Sequence, residues 1–330
     1  MSQKALLYEL DEKRFALSWN YCPMQRVMQV YLFRVVLVAI MSLGSFGFAE
    51  AQVSDQQLKL GQSLDKVYAY WRDAMVSRDY RAWHQVSATH RRVALQNRIL
   101  SEKGQWPADI FNVPAAPPTL KGLKMLRARS KGMSAKSVYF GKVNFGAGAA
   151  PADNLLLVSF VYEGRGWKYD TAEFINLDNL KDVRAQIASG DLAYVDEQAF
   201  LPTGVKPPTP DEVAEAKYIA KVYSYCPGRE VKVRVNRISK HRFQDNQQSE
   251  VIIGGARDGI NEISYEIRDL PGYQGDDPIT IRVYLMSQVE GIKPIKIYQY
   301  QTRQGEKPKA QDSAVFQVNG ETAAKILGLR

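Results

Sequence analysis

Apolar positions recur along this chain at two spacings, and the spacings mark two kinds of element. Leu64, Val67, Tyr68, Trp71 and Met75 fall at i, i+3, i+4, i+7 and i+11. That single stripe predicts a helix from an N-cap at Ser63 to about Arg78. After a break near Asp79, the spacing of Tyr80, Trp83 and Val86 predicts a second, short helix. A third helical segment is expected over residues 88–103, ended by Gly104. Its apolar residues form two partial stripes, Val93 with Leu100 and Leu95 with Ile99, on roughly opposite sides.

The pattern then changes. A proline-rich loop with Pro107, Pro114, Pro117 and Pro118 excludes helix and central strand alike. Trp106, Ile110 and Phe111 suit a loop that packs down. Strands are expected over residues 122–129 and 134–143, with a turn at Gly132. A glycine-rich connection, 146–151, leads into the clearest β-hairpin of the chain, residues 154–174. Leu156, Val158, Phe160 and Tyr162 share one face by period two, and Leu155, Leu157 and Val161 share the other. A strand apolar on both faces is expected to be buried on both. A short closing helix follows over 177–187.

Residues 201–212, with four prolines and one glycine, read as a semi-rigid linker or a packed extended connection. Beyond it, seven short strand-like runs are expected: 217–225, 230–238, 250–253, 260–267, 278–286, 293–300 and 314–318, with a short helix over 322–329. Short strands separated by Gly, Pro, Asp and Asn turns fit a β-sandwich of immunoglobulin-like type, without the Cys…Trp…Cys pattern of antibody domains. The organisation expected is therefore an upstream extension and signal peptide (1–51), an α+β domain (52–200), a linker (201–212) and a β-sandwich (213–330).

The signal-peptide expectation rests on Arg26 and Arg34, the uncharged run 35–49, and Ala49 and Ala51 spaced as A-x-A, which places cleavage before Gln52. A membrane anchor is the competing reading, but Arg34 interrupts the run before it reaches the roughly 20 apolar residues a membrane span needs. Cleavage would leave 39 Lys and Arg against 31 Asp and Glu, net +8, and Cys226 as the one thiol. A buried, inert cysteine is expected there. Two cysteines and three histidines are too few for a disulfide framework or a Cys/His zinc site. No P-loop, nucleotide fingerprint, H-E-x-x-H, EF-hand or G-x-S-x-G motif occurs. No metal or cofactor is expected.

The helix-break-helix SLDKVYAYWRDAMVSRDYRAW, followed by an antiparallel sheet whose last hairpin reads LLLVSFVYEGRGWKYDTAEF, resembles the ketosteroid-isomerase-like (SnoaL-like) α+β cone fold over residues 60–176. The resemblance implies an inner cavity. Members range from isomerases and cyclases to protein-binding modules, so the fold leaves function open. An enzyme there needs inward acid and base groups, for which Asp170, Glu173, Tyr139, Tyr169, His84 and His90 are the candidates. Tyr68, Trp71, Trp106, Phe160 and Trp167 would line a ligand cavity. Their competing role is plain core.

Charge adds the last candidate. Residues 110–152 contain no acid, against Lys121, Lys124, Arg127, Arg129, Lys131, Lys136 and Lys142. Residues 229–242 carry Arg229, Lys232, Arg234, Arg237, Lys240 and Arg242 against Glu230 alone. Clustered positive charge draws polyanions. The competing reading of Lys232, Arg234 and Arg237 is an exposed sheet face or a protected edge. The function expected is an exported, non-catalytic binding or assembly protein of the cell envelope, with a protein or glycan partner. Nucleic acid is not expected, membrane contact is expected only through an uncleaved N-terminus, and a homo-oligomer is compatible. A cavity enzyme or small-ligand binder and an acidic-glycan binder are the alternatives.

Overall fold

The computed structural model describes residues 55–143 and 152–329. The expected signal segment, Cys22 and the connection 146–151 lie outside the described residues. The fold is mixed α+β and mostly β, with helices and three antiparallel sheets. It divides into two compact units, residues up to 92 with 111–208, and residues 93–110 with 209–330.

In the first unit, helix α1 (Asp55–Ser77) begins eight residues before the expected N-cap, with Asp55 in its first turn to complement the helix dipole. α2 (Tyr80–Val86) is capped by Asp79, whose carboxylate accepts from the Ala82 N–H at 3.0 Å. Strands β1 (Lys124–Lys131), β2 (Ser134–Val143), β3 (Ala152–Glu163) and β4 (Gly166–Asn176) pair in sequence order as an antiparallel meander. The β3–β4 hairpin turns through Gly164, at φ 67°, where a side chain would be strained. β3 is apolar on both faces because both are covered. Leu156, Val158 and Phe160 pack with Leu64 and Tyr68 of α1. Leu155 and Leu157 pack with Ile187 of helix α4 (Lys181–Ala188) and with Tyr194, Val195 and Phe200 of two short 3-10 turns. Tyr162, expected on the first of these faces, is 39 % exposed at the strand end. The proline-rich segment after 200 is held by backbone and side-chain bonds, Met133 N–H to Gly204 O at 3.0 Å and Gly204 N–H to Ser134 Oγ at 2.8 Å.

Helix α3 (Thr89–Ser101) starts in the first unit, and its residues from Val93 belong to the second. There the buried Asn97 amide donates to Asp211 O at 2.8 Å and accepts from Val213 N–H at 3.0 Å, and Ser101 Oγ accepts from Gly254 N–H at 2.8 Å. These bonds satisfy polar groups on a helix whose sides are both at least half-buried.

The second unit has eight strands where seven are expected from the sequence: β5 (Ile219–Tyr225), β6 (Arg229–Val235), β7 (Ser239–Gln244), β8 (Gln247–Val251), β9 (Gly259–Asp269), β10 (Thr280–Met286), β11 (Ile295–Gln301) and β12 (Gln311–Val318). They form two sheets, β11-β10-β5-β8 and β12-β9-β6-β7, over one shared core that includes Val222, Ile281, Val283, Val233, Phe243 and Ile263. The additional strand is β7. The expected run 230–238 ends instead at Val235 and turns through Asn236 and Arg237, both at positive φ. β7 then places Ser239, His241 and Phe243 inward. Two of those three are polar, so the strand carries no apolar alternation to reveal it. The pairing also differs from the immunoglobulin order, in which the first two strands are neighbours in one sheet. Here β5 and β6 lie in different sheets. Helix α5 (Gly320–Leu327) closes the chain, capped by Asn319 and ended by Gly328 in the left-handed region. Cys226 is buried and free, and burial pushes its thiol pKa up. No helix among the described residues is long and apolar enough to cross a membrane.

Candidate polyanion-binding face

Strand β6 alternates buried and exposed residues along its whole length, with Val231, Val233 and Val235 inward and Lys232 and Arg234 outward. In β7 the outward residues are Lys240 and Arg242. The register places Lys232 opposite Arg242, and Arg234 opposite Lys240. Residues directly opposed across antiparallel strands have Cβ atoms about 5 Å apart, and like charges there are destabilising. Two such pairs stand side by side.

Carboxylates on the same face are already engaged. Glu230 accepts from Arg242 Nε at 2.6 Å and lies 3.5 Å from Lys232 Nζ. Burial pushes the Glu230 carboxyl up, but Arg242 and Lys232 outweigh it and hold the pKa below its ordinary value. Glu266 pairs with Arg268 at 3.4 Å, and Glu262 with Arg237 at 3.2 Å. Six cations therefore face three carboxylates. Among the described residues, Arg234 and Lys240 meet no carboxylate, so the surplus falls on them. The groove over this face continues across β9 and β12 past Ser264, Glu266, Gln311 and Ser313.

The structure thus brings together Lys232, Arg234, Lys240 and Arg242 of the six basic candidates. Arg229 is not with them. It is 3 % exposed, bonded to Asp269 at 2.9 Å and to Asp277 O at 2.8 Å, and stacked on Tyr273. Arg237 sits in the β6–β7 turn, paired with Glu262.

The cavity candidates are placed in packed surroundings. Tyr68, Trp71, Phe160, Trp167 and Tyr169 belong to one cluster between α1 and the sheet. Trp71 stacks on Tyr169 at 3.7 Å, and Tyr68 lies 5.6 and 6.1 Å from these rings. Trp106 is half-buried in the other unit. The Tyr139 hydroxyl donates to Asp65 of α1, and Tyr68 donates to Pro118 O at 2.8 Å. Burial raises the pKa of Tyr68, Tyr139, Tyr169 and Asp65. Asp170 is the extra residue of a bulge in β4, and its carboxylate meets His90 Nε2 at 2.9 Å. Glu173 lies opposite Leu157, on the other face of the sheet from Tyr139 and Tyr169. His84 is exposed and bonded to Arg92. Its pKa is lowered by partial burial and by the Arg92 charge. The acid and base candidates are not gathered in one place. No group of three or more His, Cys, Asp or Glu among the described residues is arranged to hold a metal.

One arrangement has no counterpart in the sequence reading. His241 shares a 2.7 Å bond with Ser239 Oγ through Nε2 and another with Glu250 Oε2 through Nδ1, and Ser239 Oγ also accepts from Ile253 N–H at 2.8 Å. The order Ser–His–Glu is that of a hydrolase relay. Ser239, however, is fully buried. The relay joins β7 of one sheet to β8 of the other and fixes the strand that carries Lys240 and Arg242. Its only signal in the sequence was a histidine between two cations.

No family model, curated protein or solved structure matches the chain.

Proposed function

We propose that this chain is an exported binding protein of the cell envelope that holds an acidic polymer on the outer face of β6 and β7. Export follows from the basic, apolar and A-x-A segments of the N-terminus. The first unit, a helix laid on one face of a four-stranded meander, is read as the cone-like scaffold with its interior filled by aromatic side chains.

The observation that carries the reading is the pair of directly opposed like charges with Arg234 and Lys240 unneutralised. Protection of a sheet edge accounts for cations on β7, which is an edge strand. It does not account for Lys232 and Arg234, because β6 is paired on both sides. A bound polyanion would neutralise both rows and release its counterions.

Titration of the full chain with inorganic polyphosphate at rising salt tests this. Affinity should fall steeply with salt, and Arg234→Ala with Lys240→Ala should weaken it about tenfold or more while flattening the salt dependence. Binding that ignores salt, or that the double variant leaves intact, would overturn the reading.

A further inference from the structure

The outer face of the sheet is not uniform along the strands. The register defines parallel rows running across it. One row is Arg242, Lys232, Glu266, Gln311. The next is Lys240, Arg234, Ser264, Ser313. The second has no acid at any of its four positions. Its neighbours Glu266 and Glu262 are held by Arg268 and Arg237. Asp312, beside Ser313, is held by Lys309 at 2.7 Å.

We infer that this row is the track of a linear, carboxylated polysaccharide lying across the strands, a claim that rests on the polyanion reading above. Three features favour that ligand. Arg234 presents a planar fork that matches a carboxylate bidentately, next to the point charge of Lys240. Ser264 and Ser313 then offer hydroxyls that both donate and accept, which suits sugar hydroxyls and gives a bare phosphate chain little beyond what the cations provide. No aromatic or large apolar residue stands in either row. A peptide partner would lack a buried anchor there, and a nucleic-acid base would lack a stacking surface.

The row also tells polymer from monomer. Its ends lie on β7 and β12, the two edge strands of the sheet, so it is open at both sides. Its four positions span about 14 Å at the usual strand separation. A ligand can therefore run past both edges, which a closed sugar-binding pocket would forbid.

The test compares three probes on the full chain: polygalacturonate, inorganic polyphosphate and monomeric galacturonate. Ser264→Ala with Ser313→Ala should weaken polygalacturonate about fivefold per hydroxyl lost, and leave polyphosphate unchanged. Arg234→Ala with Lys240→Ala should weaken both polymers, and the monomer should bind far more weakly than its polymer. If the serine variant leaves polygalacturonate binding unchanged while the charge variant still weakens both polymers, the saccharide track is wrong and the polyanion face stands. A monomer that binds as well as its polymer also overturns the track. If the charge variant weakens neither polymer, both readings fall together. Both serines are on the sheet's outer face without a fold-critical bond, so unfolding does not confuse the result.

Discussion

Residues 121–142 hold seven Lys and Arg and no acid, and residues 229–242 hold six against Glu230. In the first stretch, Arg127 and Arg129 both converge on Asp196, Arg127 through bonds of 2.8 and 3.0 Å, and Lys136 donates to Ala199 O at 3.1 Å. These cations hold the 3-10 turns that cover one face of the first unit's sheet. In the second stretch, Arg229 is buried and fully bonded, whereas Arg234 and Lys240 face each other with no acid between them. Arg127, Arg129 and Lys136, three of the seven cations of the first stretch, thus become internal bracing, whereas Arg234 and Lys240 of the second remain free positive field. What decides is whether chain folded from elsewhere supplies a carboxylate, as Asp196 does from nearly seventy residues away.

Arg229→Ala removes a cation of the second stretch that is bonded like Arg127 and Arg129 of the first. The loss strands Asp269, frees the Asp277 carbonyl and empties the space under Tyr273. Urea unfolding should show a loss of about 3 kcal/mol, the low end for breaking a buried pair because Asp269 itself is largely exposed. A change below about 0.5 kcal/mol would mean that Arg229 contributes no more than a surface lysine, and the structural assignment of this residue would fail.

Asp196→Ala is next in size. It leaves Arg127, only 11 % exposed, and Arg129 without their shared carboxylate. Asp196 is itself 38 % exposed, so solvent screening limits the loss to about 1–2 kcal/mol. The pH dependence has a definite sign. Hydrogen bonds from Arg127, outweighing partial burial, hold the Asp196 pKa below its ordinary value. Its contribution is therefore complete above the ordinary carboxylate pKa and is lost as pH falls through the lower, folded value. Comparing thermal unfolding of the wild type and Asp196→Ala from pH 7 down to pH 2 should show the gap closing at the acid end. A gap that persists or widens there would exclude the ion pairs as its source.

Much of this was legible in advance, and the gaps have physical reasons. The α1 stripe and the hairpin at 154–174 announced themselves because their apolar residues keep one period and are buried. The valine alternation of β6 also gave the parity of its cations. Arg229 shares the parity of Val231 and Val233 and so points inward, a signal present in the sequence. β7 leaves no apolar alternation in the sequence because its inward residues Ser239 and His241 are polar, and only the Glu250 and Ile253 contacts make them suitable for burial. The opposition of Arg234 and Lys240 was out of reach for the same reason, since register needs the partner strand. Asp170 turned toward His90 through a bulge, which period-two counting cannot anticipate.

The smallest expected effect separates the two regions most cleanly. In the second stretch, Arg234→Ala with Lys240→Ala removes two cations that hold nothing. Stability should stay level or rise by a few tenths of a kcal/mol at low salt, because the like-charge pair across the strands is relieved. Screening should erase the gain as the Debye length falls to about 3 Å near 1 M salt. The wild type should correspondingly gain more from added salt than the variant does. Urea unfolding at 0.02 M and 1 M salt measures both. A loss above about 1 kcal/mol at either salt would show that these two side chains brace the hairpin as Arg127 and Arg129 brace the turns. The excess charge would then be part of the fold, and the case for a polyanion on this face would lose its basis.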